Sequence, residues 1–319
     1  MPLSAKSLVD EALDYLSDEK PLHAIQILRR AILNDPEYGD AYLKLAEIYI
    51  GARNYNAAGK ILSDGLARIT EDHPDISVRN RLVYALGSLY YNLGESERAL
   101  PLLRMLNSWR NPGVHLALAT IFIEMHQYEE ALSEVRQVLR VDAKYPDANG
   151  LFGKTYLKQK DFPNAIKYLK RELALNESSV EFRLDLATAY YMLGALWDAL
   201  EEFTLLIDTD PDFFPGWLMC GKILLETGRL SESEFYLSRA ESLNPISAEV
   251  KHALANLYSA LGDVERARGV FDELARTGSL IEDDTEALER LSSTRDPGKR
   301  SQSWSGGTGT KASGKKNKR

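Results

Sequence analysis

Few residues of this 319-residue chain have the types and spacing that catalysis or metal binding requires. The chain has five histidines, at His23, His73, His115, His126 and His252. None of them has a second His or a Cys at the spacing that metal ligands use. Glycine-rich phosphate loops, serine-nucleophile motifs and dinucleotide-binding motifs are all missing from the sequence. The sequence therefore predicts a protein with no metal site, no cofactor and no enzymatic activity.

Two further features resemble reactive groups but favour structural interpretations. Cys220 is the only cysteine, so an intramolecular disulfide is excluded, and its apolar surroundings favour core packing over reactivity. The acidic pairs Glu129-Glu130 and Glu201-Glu202 are predicted to begin helices, where negative charge suits the helix dipole.

The charge of the chain is divided between an acidic body and a basic end. The formal net charge is −8, but residues 295–319 contain eight Lys or Arg and one Asp, a net +7 that leaves −15 on the preceding 294 residues. An acidic body argues against nucleic acid as the main ligand, because a phosphate backbone requires a basic surface. The Lys315–Arg319 cluster leaves open a weak contact with an anionic partner, against the simpler interpretation of a solvated tail.

A small residue followed twelve positions later by Ala or Ser recurs along the chain, as in Gly153 and Ala165 or Gly221 and Ser233. Aligned on this pair, the sequence divides into eight repeats, which begin at Ala5, Gly39, Asn80, Pro112, Pro146, Val180, Phe214 and Ala248. Five of the seven spacings are 34 residues, and the others are 41 and 32. A fixed period of this length indicates one supersecondary unit that is copied and stacked.

Each repeat reads as two short helices joined by a turn. The small residues at positions eight and twenty allow the paired helices to approach closely, and larger apolar residues continue the same faces. Glycine at position fifteen marks the turn, at Gly94, Gly194, Gly228 and Gly262. Strand-like alternation of useful length is missing, so the predicted fold is all-α.

These repeats resemble tetratricopeptide repeats. The strongest matches are Leu186-Ala187 with Tyr190, Gly194, Ala199 and Pro211, and Trp217 with Gly221, Gly228 and Pro245. The resemblance implies a right-handed superhelical solenoid over residues 5–279 whose concave wall binds a partner. A capping helix is predicted over residues 280–293 and a disordered basic tail over 294–319. Two departures are Glu172 at a normally apolar place and an insertion of about seven residues between the second and third repeats, around residues 71–75. The insertion is expected to lengthen the adjoining helices or to form an acidic loop.

In this family the concave wall is formed mainly by positions 2, 5, 9, 12 and 13 of each first helix. Reading those columns gives the predicted partner-binding residues Arg81, Tyr84, Ser88, Tyr91, Thr120, Lys154, Lys158, Thr188, Tyr191, Lys222, His252 and Asn256. Tyrosine offers contact area with a hydrogen-bonding tip, and lysines could meet a partner's carboxylates. Two alternatives stay open: Tyr91 and Tyr191 could pack between repeats, and Lys154 and Lys158 could be solvated.

The predicted function is a non-enzymatic scaffold or adaptor that binds a protein or peptide segment along this wall. Co-chaperones of the family hold a C-terminal carboxylate with Lys at position 5 and Asn at position 9 of one repeat. No repeat here has that pair, so a chaperone-tail clamp is not expected. Two alternatives are a structural or assembly subunit of a secretion, pilus or motility apparatus, and an enzyme regulator or nucleic-acid-associated factor tethered by the tail.

The sequence contains no apolar run long enough to span a bilayer, and its first residues lack the apolar stretch of a signal peptide. A cytoplasmic location is therefore expected.

Overall fold

The computed structural model describes residues 3–106, 111–281, 284 and 287–288. All regular structure within these ranges is helical, which confirms the all-α prediction. Its helices are α1 Ala5–Ser17, α2 Pro21–Asn34, α3 Gly39–Gly51, α4 Tyr55–Arg68, α5 Ile76–Asn92, α6 Ser96–Arg104, α7 Pro112–Glu124, α8 Tyr128–Val141, α9 Ala148–Lys158, α10 Phe162–Leu173, α11 Val180–Leu193, α12 Leu196–Thr209, α13 Phe214–Glu226, α14 Leu230–Leu243, α15 Ala248–Leu261 and α16 Val264–Arg276.

Six of the odd-numbered helices begin at the residue where the sequence places a repeat start. The exceptions are α5, which begins at Ile76 rather than Asn80, and α9, which begins at Ala148 rather than Pro146. The insertion explains the first exception, because α5 has 17 residues whereas most other helices have 13 or 14. Asp75 is the N-cap residue of this longer helix, and its side chain accepts a hydrogen bond from the Ser77 amide at 3.0 Å.

The small residues lie where the two helices of a repeat touch. A Cβ atom on Gly153 would lie 2.4 Å from Cγ of Leu169 on the paired helix, which leaves no room for a side chain. In the seventh repeat, Ser233 Oγ donates a hydrogen bond of 2.8 Å to the Gly221 carbonyl oxygen. The small-residue spacing therefore corresponds to direct contact between the paired helices.

Position fifteen adopts the left-handed conformation in all eight repeats. Its φ values lie between 56° and 83° at Glu19, Arg53, Gly94, His126, Lys160, Gly194, Gly228 and Gly262. The prediction for the four glycines is confirmed. The other four repeats place a residue with a Cβ atom in the same conformation, which is costly for an L-amino acid.

The chain divides into two compact bodies, Met1–Leu193 and Gly194–Arg319. In the N-terminal body, α1, α3, α5, α7, α9 and α11 each contact the next member of this series. We call this row of first helices the first-helix wall. The even-numbered helices pair with them, for example α8 with α7 and α10 with α9. In the C-terminal body, α13 contacts α15, and α14 and α16 pack against them.

The starts of α8 and α12 confirm one prediction and correct another. Glu129 and Glu130 lie in the first turn of α8, as predicted. The prediction for Glu201 and Glu202 is wrong, because α12 begins at Leu196 and places them in its interior. The early start leaves Asp198 as the acidic residue of that first turn.

Part of the predicted capping helix lies within the described residues. Asp284, Ala287 and Leu288 are helical, and the last two pack against the apolar cluster that contains Phe271. The extent of the cap, over residues 280–293, stays a prediction. The predicted basic tail, with Trp304 and the Lys315–Arg319 cluster, lies outside the described residues.

Candidate functional site

A pocket of about 430 Å³ lies among four consecutive members of the first-helix wall, α5, α7, α9 and α11. Five of the predicted partner-binding residues line it: Tyr84, Ser88, Tyr91, Thr120 and Lys154. They come from three consecutive repeats, the third to the fifth. The repeat register therefore brings these side chains together although no local motif connects them.

Two glycines at wall positions allow aromatic side chains to enter the pocket lining. A Cβ atom on Gly113 would lie 2.7 Å from the hydroxyl oxygen of Tyr84. A Cβ atom on Gly150 would lie 2.3 Å from the ring of Phe182. Tyr84 and Phe182 both line the pocket, so any larger residue at either glycine would displace part of its surface.

Lys154 is paired within the chain. Its Nζ atom lies 2.5 Å from Oε1 of Glu181, which also lines the pocket. Burial lowers the pKa of Lys154, but the hydrogen bond and the charge of Glu181 outweigh it, and the pKa is raised. In the C-terminal body, Lys222 and Glu249 form the same type of pair at 3.0 Å. Both lysines therefore already have a carboxylate partner within the chain, and their contact with a partner's carboxylates stays a prediction.

Asp185 carries the most strongly perturbed carboxyl group near the pocket. Its Oδ2 atom is buried without a hydrogen-bond partner in the described part of the chain. Burial raises the pKa of Asp185 to about 6, and Glu181 adds to the rise, whereas Lys154 and Lys158 oppose it. Lys158 itself is exposed. Sequence reasoning missed Asp185 because the wall columns exclude its position in the repeat.

Glu172, the departure noted in the sequence, has a structural role beneath the pocket. Its side chain is fully buried, and its two carboxylate oxygens accept hydrogen bonds from the Asp147 amide at 2.8 Å and the Gly150 amide at 3.1 Å. Asp147 precedes α9 in the left-handed conformation and lines the pocket. The carboxylate of α10 thus caps the start of α9 and fixes the backbone beside Lys154.

Seven predicted residues lie outside the pocket. Arg81 pairs with Asp40 at 2.7 Å, and the Thr188 hydroxyl donates to the Leu184 carbonyl oxygen of its own helix. Lys158 and Tyr191 belong to α9 and α11, and Lys222, His252 and Asn256 belong to the C-terminal body. His252 Nδ1 lies 2.7 Å from Asp284 Oδ2, in a geometry too poorly aligned for a hydrogen bond. Asp284, which follows α16, therefore lies against this histidine.

The described residues offer little basis for chemistry at other places. They contain no group of three His, Cys, Asp or Glu side chains that could hold a metal ion. Cys220 is fully buried, and burial raises the pKa of its thiol to about 12, which supports its interpretation as a core residue. No helix in these ranges is both long and apolar enough to cross a bilayer.

Several known proteins are similar to the chain over part of their length. TPR repeat-containing protein YpiA of Bacillus subtilis is 24% identical over 272 residues, which cover 83% of this chain and 61% of YpiA. Protein O-mannosyl-transferase TMTC1 of Homo sapiens is 24% identical over 57% of this chain and 21% of its own length. The Hsp70-Hsp90 organizing protein of Triticum aestivum is 22% identical over 63% of this chain and 34% of its own length. The chain thus spans less than two thirds of each relative.

Solved structures show the same fold at low identity. A tetratricopeptide repeat protein from Parabacteroides merdae matches 80% of this chain and 98% of its own, with a TM-score of 0.57 and 18% identity. PilW, a type IV pilus biogenesis factor, matches 66% of this chain and 97% of its own, with a TM-score of 0.57 and 16% identity.

Family comparison identifies the repeats directly. Three tetratricopeptide repeat profiles match residues 15–82, residues 116–176 together with 151–212, and residues 252–300. These matches reach from the first repeat to the last and agree with the helix pairs described above. The chain therefore belongs to the tetratricopeptide repeat family.

Proposed function

We propose that this protein is a non-enzymatic scaffold or adaptor that binds a partner segment along the first-helix wall of its N-terminal body. Tetratricopeptide repeat proteins generally mediate protein–protein interactions or act as scaffolds. The observation that carries the proposal is the pocket to which four consecutive first helices contribute. Its two tyrosines supply the type of contact that dominates binding energy at protein interfaces.

The ion pair in the pocket refines the chemistry of the proposed partner. Lys154 is already paired with Glu181, and Asp147 adds a second carboxylate to the lining. The lining therefore carries one more negative than positive charge, which disfavours an acidic segment at this place. We expect an uncharged or basic segment whose aromatic or apolar side chain enters beside Tyr84 and Tyr91.

Site-specific photo-crosslinking tests the proposal. A benzoylphenylalanine residue replaces Ser88, which lines the pocket, in the full chain expressed in its native host. The matched control carries it at Ser63, an exposed residue of α4 in the same body. We expect the Ser88 probe to cross-link a defined partner segment, and the Ser63 probe not to capture it.

The captured segment is then synthesised and its affinity measured. Tyr84→Ala and Tyr91→Ala together should weaken binding by about tenfold or more, as expected for two tyrosine contacts. Tyr55→Ala, which removes an exposed tyrosine from α4, should have no effect. Unchanged affinity of the Tyr84 and Tyr91 variant would refute the proposal. Capture by the Ser63 probe alone would instead favour an assembly subunit that packs through other faces.

Enzymatic activity, a chaperone-tail clamp and cellular location are the three remaining questions of function. TMTC1 is a transferase by name, but the similar region is only 21% of its length, and we propose no enzymatic activity here. The similarity to the Hsp70-Hsp90 organizing protein does not supply the missing Lys and Asn pair, so no chaperone-tail clamp is proposed. A cytoplasmic location stays a prediction.

A further inference from the structure

A second groove of the N-terminal body lies between the second helices α8 and α10 and is floored by residues of α9. It has a volume of about 470 Å³. Three arginines line it, Arg136 and Arg140 from α8 and Arg171 from α10. We call it the arginine groove. Residues 1–193 carry a net charge of −3, so three arginines in one groove form a local concentration of positive charge.

The three guanidinium groups have no carboxylate partner in the described part of the chain. Arg140 reaches only the side-chain oxygen of Gln137, at 3.5 Å, and Arg171 lies 5.2 Å from the centre of the Tyr168 ring. All three residues are exposed. Other arginines, such as Arg266 with Asp263 and Glu234, are engaged by acids. The donors of the arginine groove are therefore available to a ligand.

The repeat provides an internal comparison. An equivalent groove of about 800 Å³ lies between α2 and α4, over α3. In the repeat register, Arg29, Leu33 and Asp64 stand where Arg136, Arg140 and Arg171 stand in the arginine groove. Arg29 donates to the Tyr49 hydroxyl at 2.9 Å. The fold thus tolerates an apolar and an acidic residue at two of these places, so the three arginines are not required for packing.

The remaining lining restricts the type of ligand. Phe152, Tyr156 and Tyr168 form parallel ring stacks, with Phe152 and Tyr168 centres 4.9 Å apart. Arg136 and Arg140 are one helical turn apart, about 6 Å along α8. Guanidinium forks bind planar two-oxygen acceptors, and side chains one turn apart match two acceptors at the same spacing.

We propose that the arginine groove binds a segment of a partner protein that carries at least two carboxylates about one helical turn apart. A short acidic segment needs only this local cluster of positive charge. Nucleic acid would extend its phosphates beyond the groove, over residues 1–193, whose net charge is −3 rather than positive. This surface is separate from the pocket of the first-helix wall, so the proposal for either site can be refuted without affecting the other.

The test measures binding of a fluorescein-labelled deca-glutamate peptide to the full chain by anisotropy. The basic C-terminal end would also attract this probe, so all variants carry Lys315→Gln, Lys316→Gln and Lys318→Gln. In this background, Arg136→Gln, Arg140→Gln and Arg171→Gln together should weaken binding by about tenfold or more, because charge-assisted hydrogen bonds are lost. A deca-glutamine peptide checks that binding requires the carboxylates.

The matched control removes three positive charges from the equivalent region, through Arg29→Gln, Arg30→Gln and Arg68→Gln. We expect this variant to keep the affinity of its parent, since the net charge changes equally in both. An equal loss in the control would show that general charge alone attracts the probe, and would overturn the proposal. Tighter binding of a ten-nucleotide oligothymidine that depends on the same three arginines would assign the groove to phosphate instead.

Discussion

Lys154 on α9 and Glu181 on α11 form an ion pair of 2.5 Å that joins the first helices of the fifth and sixth repeats. The pair of Lys222 and Glu249 occupies the same two repeat positions in the C-terminal body, at 3.0 Å. In both, a lysine at position nine meets a glutamate at position two of the next repeat. Each of these two lysines therefore connects neighbouring repeats.

Reversing the charge of Lys154 should destabilise the N-terminal body more than the same change destabilises its counterpart. Lys154→Glu would place a third carboxylate beside Glu181 and Asp185, and we expect a loss of about 1 to 2 kcal/mol in unfolding free energy. Lys222→Glu should cost less, because Ala253 stands at the repeat position of Asp185. Urea unfolding measures the change in unfolding free energy for both variants.

A double-mutant cycle isolates the pair itself. Adding Glu181→Lys to Lys154→Glu should recover part of the lost stability, since opposite charges again face each other. If the two single changes simply add, the pair makes no energetic contribution, and its lysine would again be a candidate for partner contact.

Position fifteen provides a prediction about backbone conformation alone. Gly228 has a φ of 76°, and a Cβ atom there would contact nothing within 4 Å. Gly228→Ala should therefore cost about 1 kcal/mol through the left-handed conformation alone. Conversely, Lys160→Gly, where φ is 63°, should raise the unfolding free energy by about 0.5 kcal/mol.

Gly51→Ala is the control for this substitution. Gly51 ends α3, has no positive φ, and leaves equally open space for a Cβ atom. Alanine should be neutral or slightly stabilising there, because it favours the helix. A loss at Gly51 equal to that at Gly228 would show that backbone conformation is not the cause. Thermal unfolding followed by circular dichroism measures the stability of the Gly51→Ala and Gly228→Ala variants.

The fold could be read from the sequence because its determinants are local and repeated. The small residues of each hairpin recur in every repeat, at a spacing of 34 residues for five of the seven intervals, and glycine stands at position fifteen in four of the eight repeats. Each repeat therefore supports the same interpretation. Where the period changes, the prediction loses accuracy, as at α5, which begins four residues before the predicted start.

The site was only partly predictable, because its decisive contacts join different repeats. The wall columns identified five pocket residues, but they gave no indication that Glu181 would neutralise Lys154. They also excluded Asp185 and the three arginines of the arginine groove, which lie at other positions of the repeat. The one available signal was Glu172, a charged residue at an apolar position, whose two acceptors became clear only with the backbone of α9 in place.

Glu172→Gln should destabilise the start of α9. Glutamine keeps the size of the side chain but has one acceptor oxygen, so its amide group would face one of the two buried N–H donors. The expected loss is about 1 to 3 kcal/mol, the cost of an unsatisfied buried donor. Hydrogen exchange of the Asp147 and Gly150 amides should accelerate. Glu177→Gln, at an exposed residue, should change neither measurement.

Asp185 should make stability depend on pH in the direction opposite to that of a paired carboxylate. Its pKa in the folded protein is about 6, above the ordinary value of 3.8, so the folded state binds the proton more tightly than the unfolded state. Stability from this group is therefore present at low pH and is lost as pH rises through 6. Asp185→Asn should remove that loss and raise the unfolding free energy at pH 7.5 by up to about 2 kcal/mol.

Comparison at two pH values separates this effect from a general change of charge. The gain from Asp185→Asn should be largest at pH 7.5 and small at pH 4.5, where the wild-type carboxyl is already protonated in the folded state. Asp72→Asn removes the same charge from an exposed loop residue and should give no such gain. If Asp185→Asn destabilised the protein at pH 7.5, the ionised carboxylate would instead be favourable beside Lys154 and Lys158. The burial of Oδ2 without a hydrogen-bond partner argues for the gain, because an ionised oxygen in that position is desolvated without compensation.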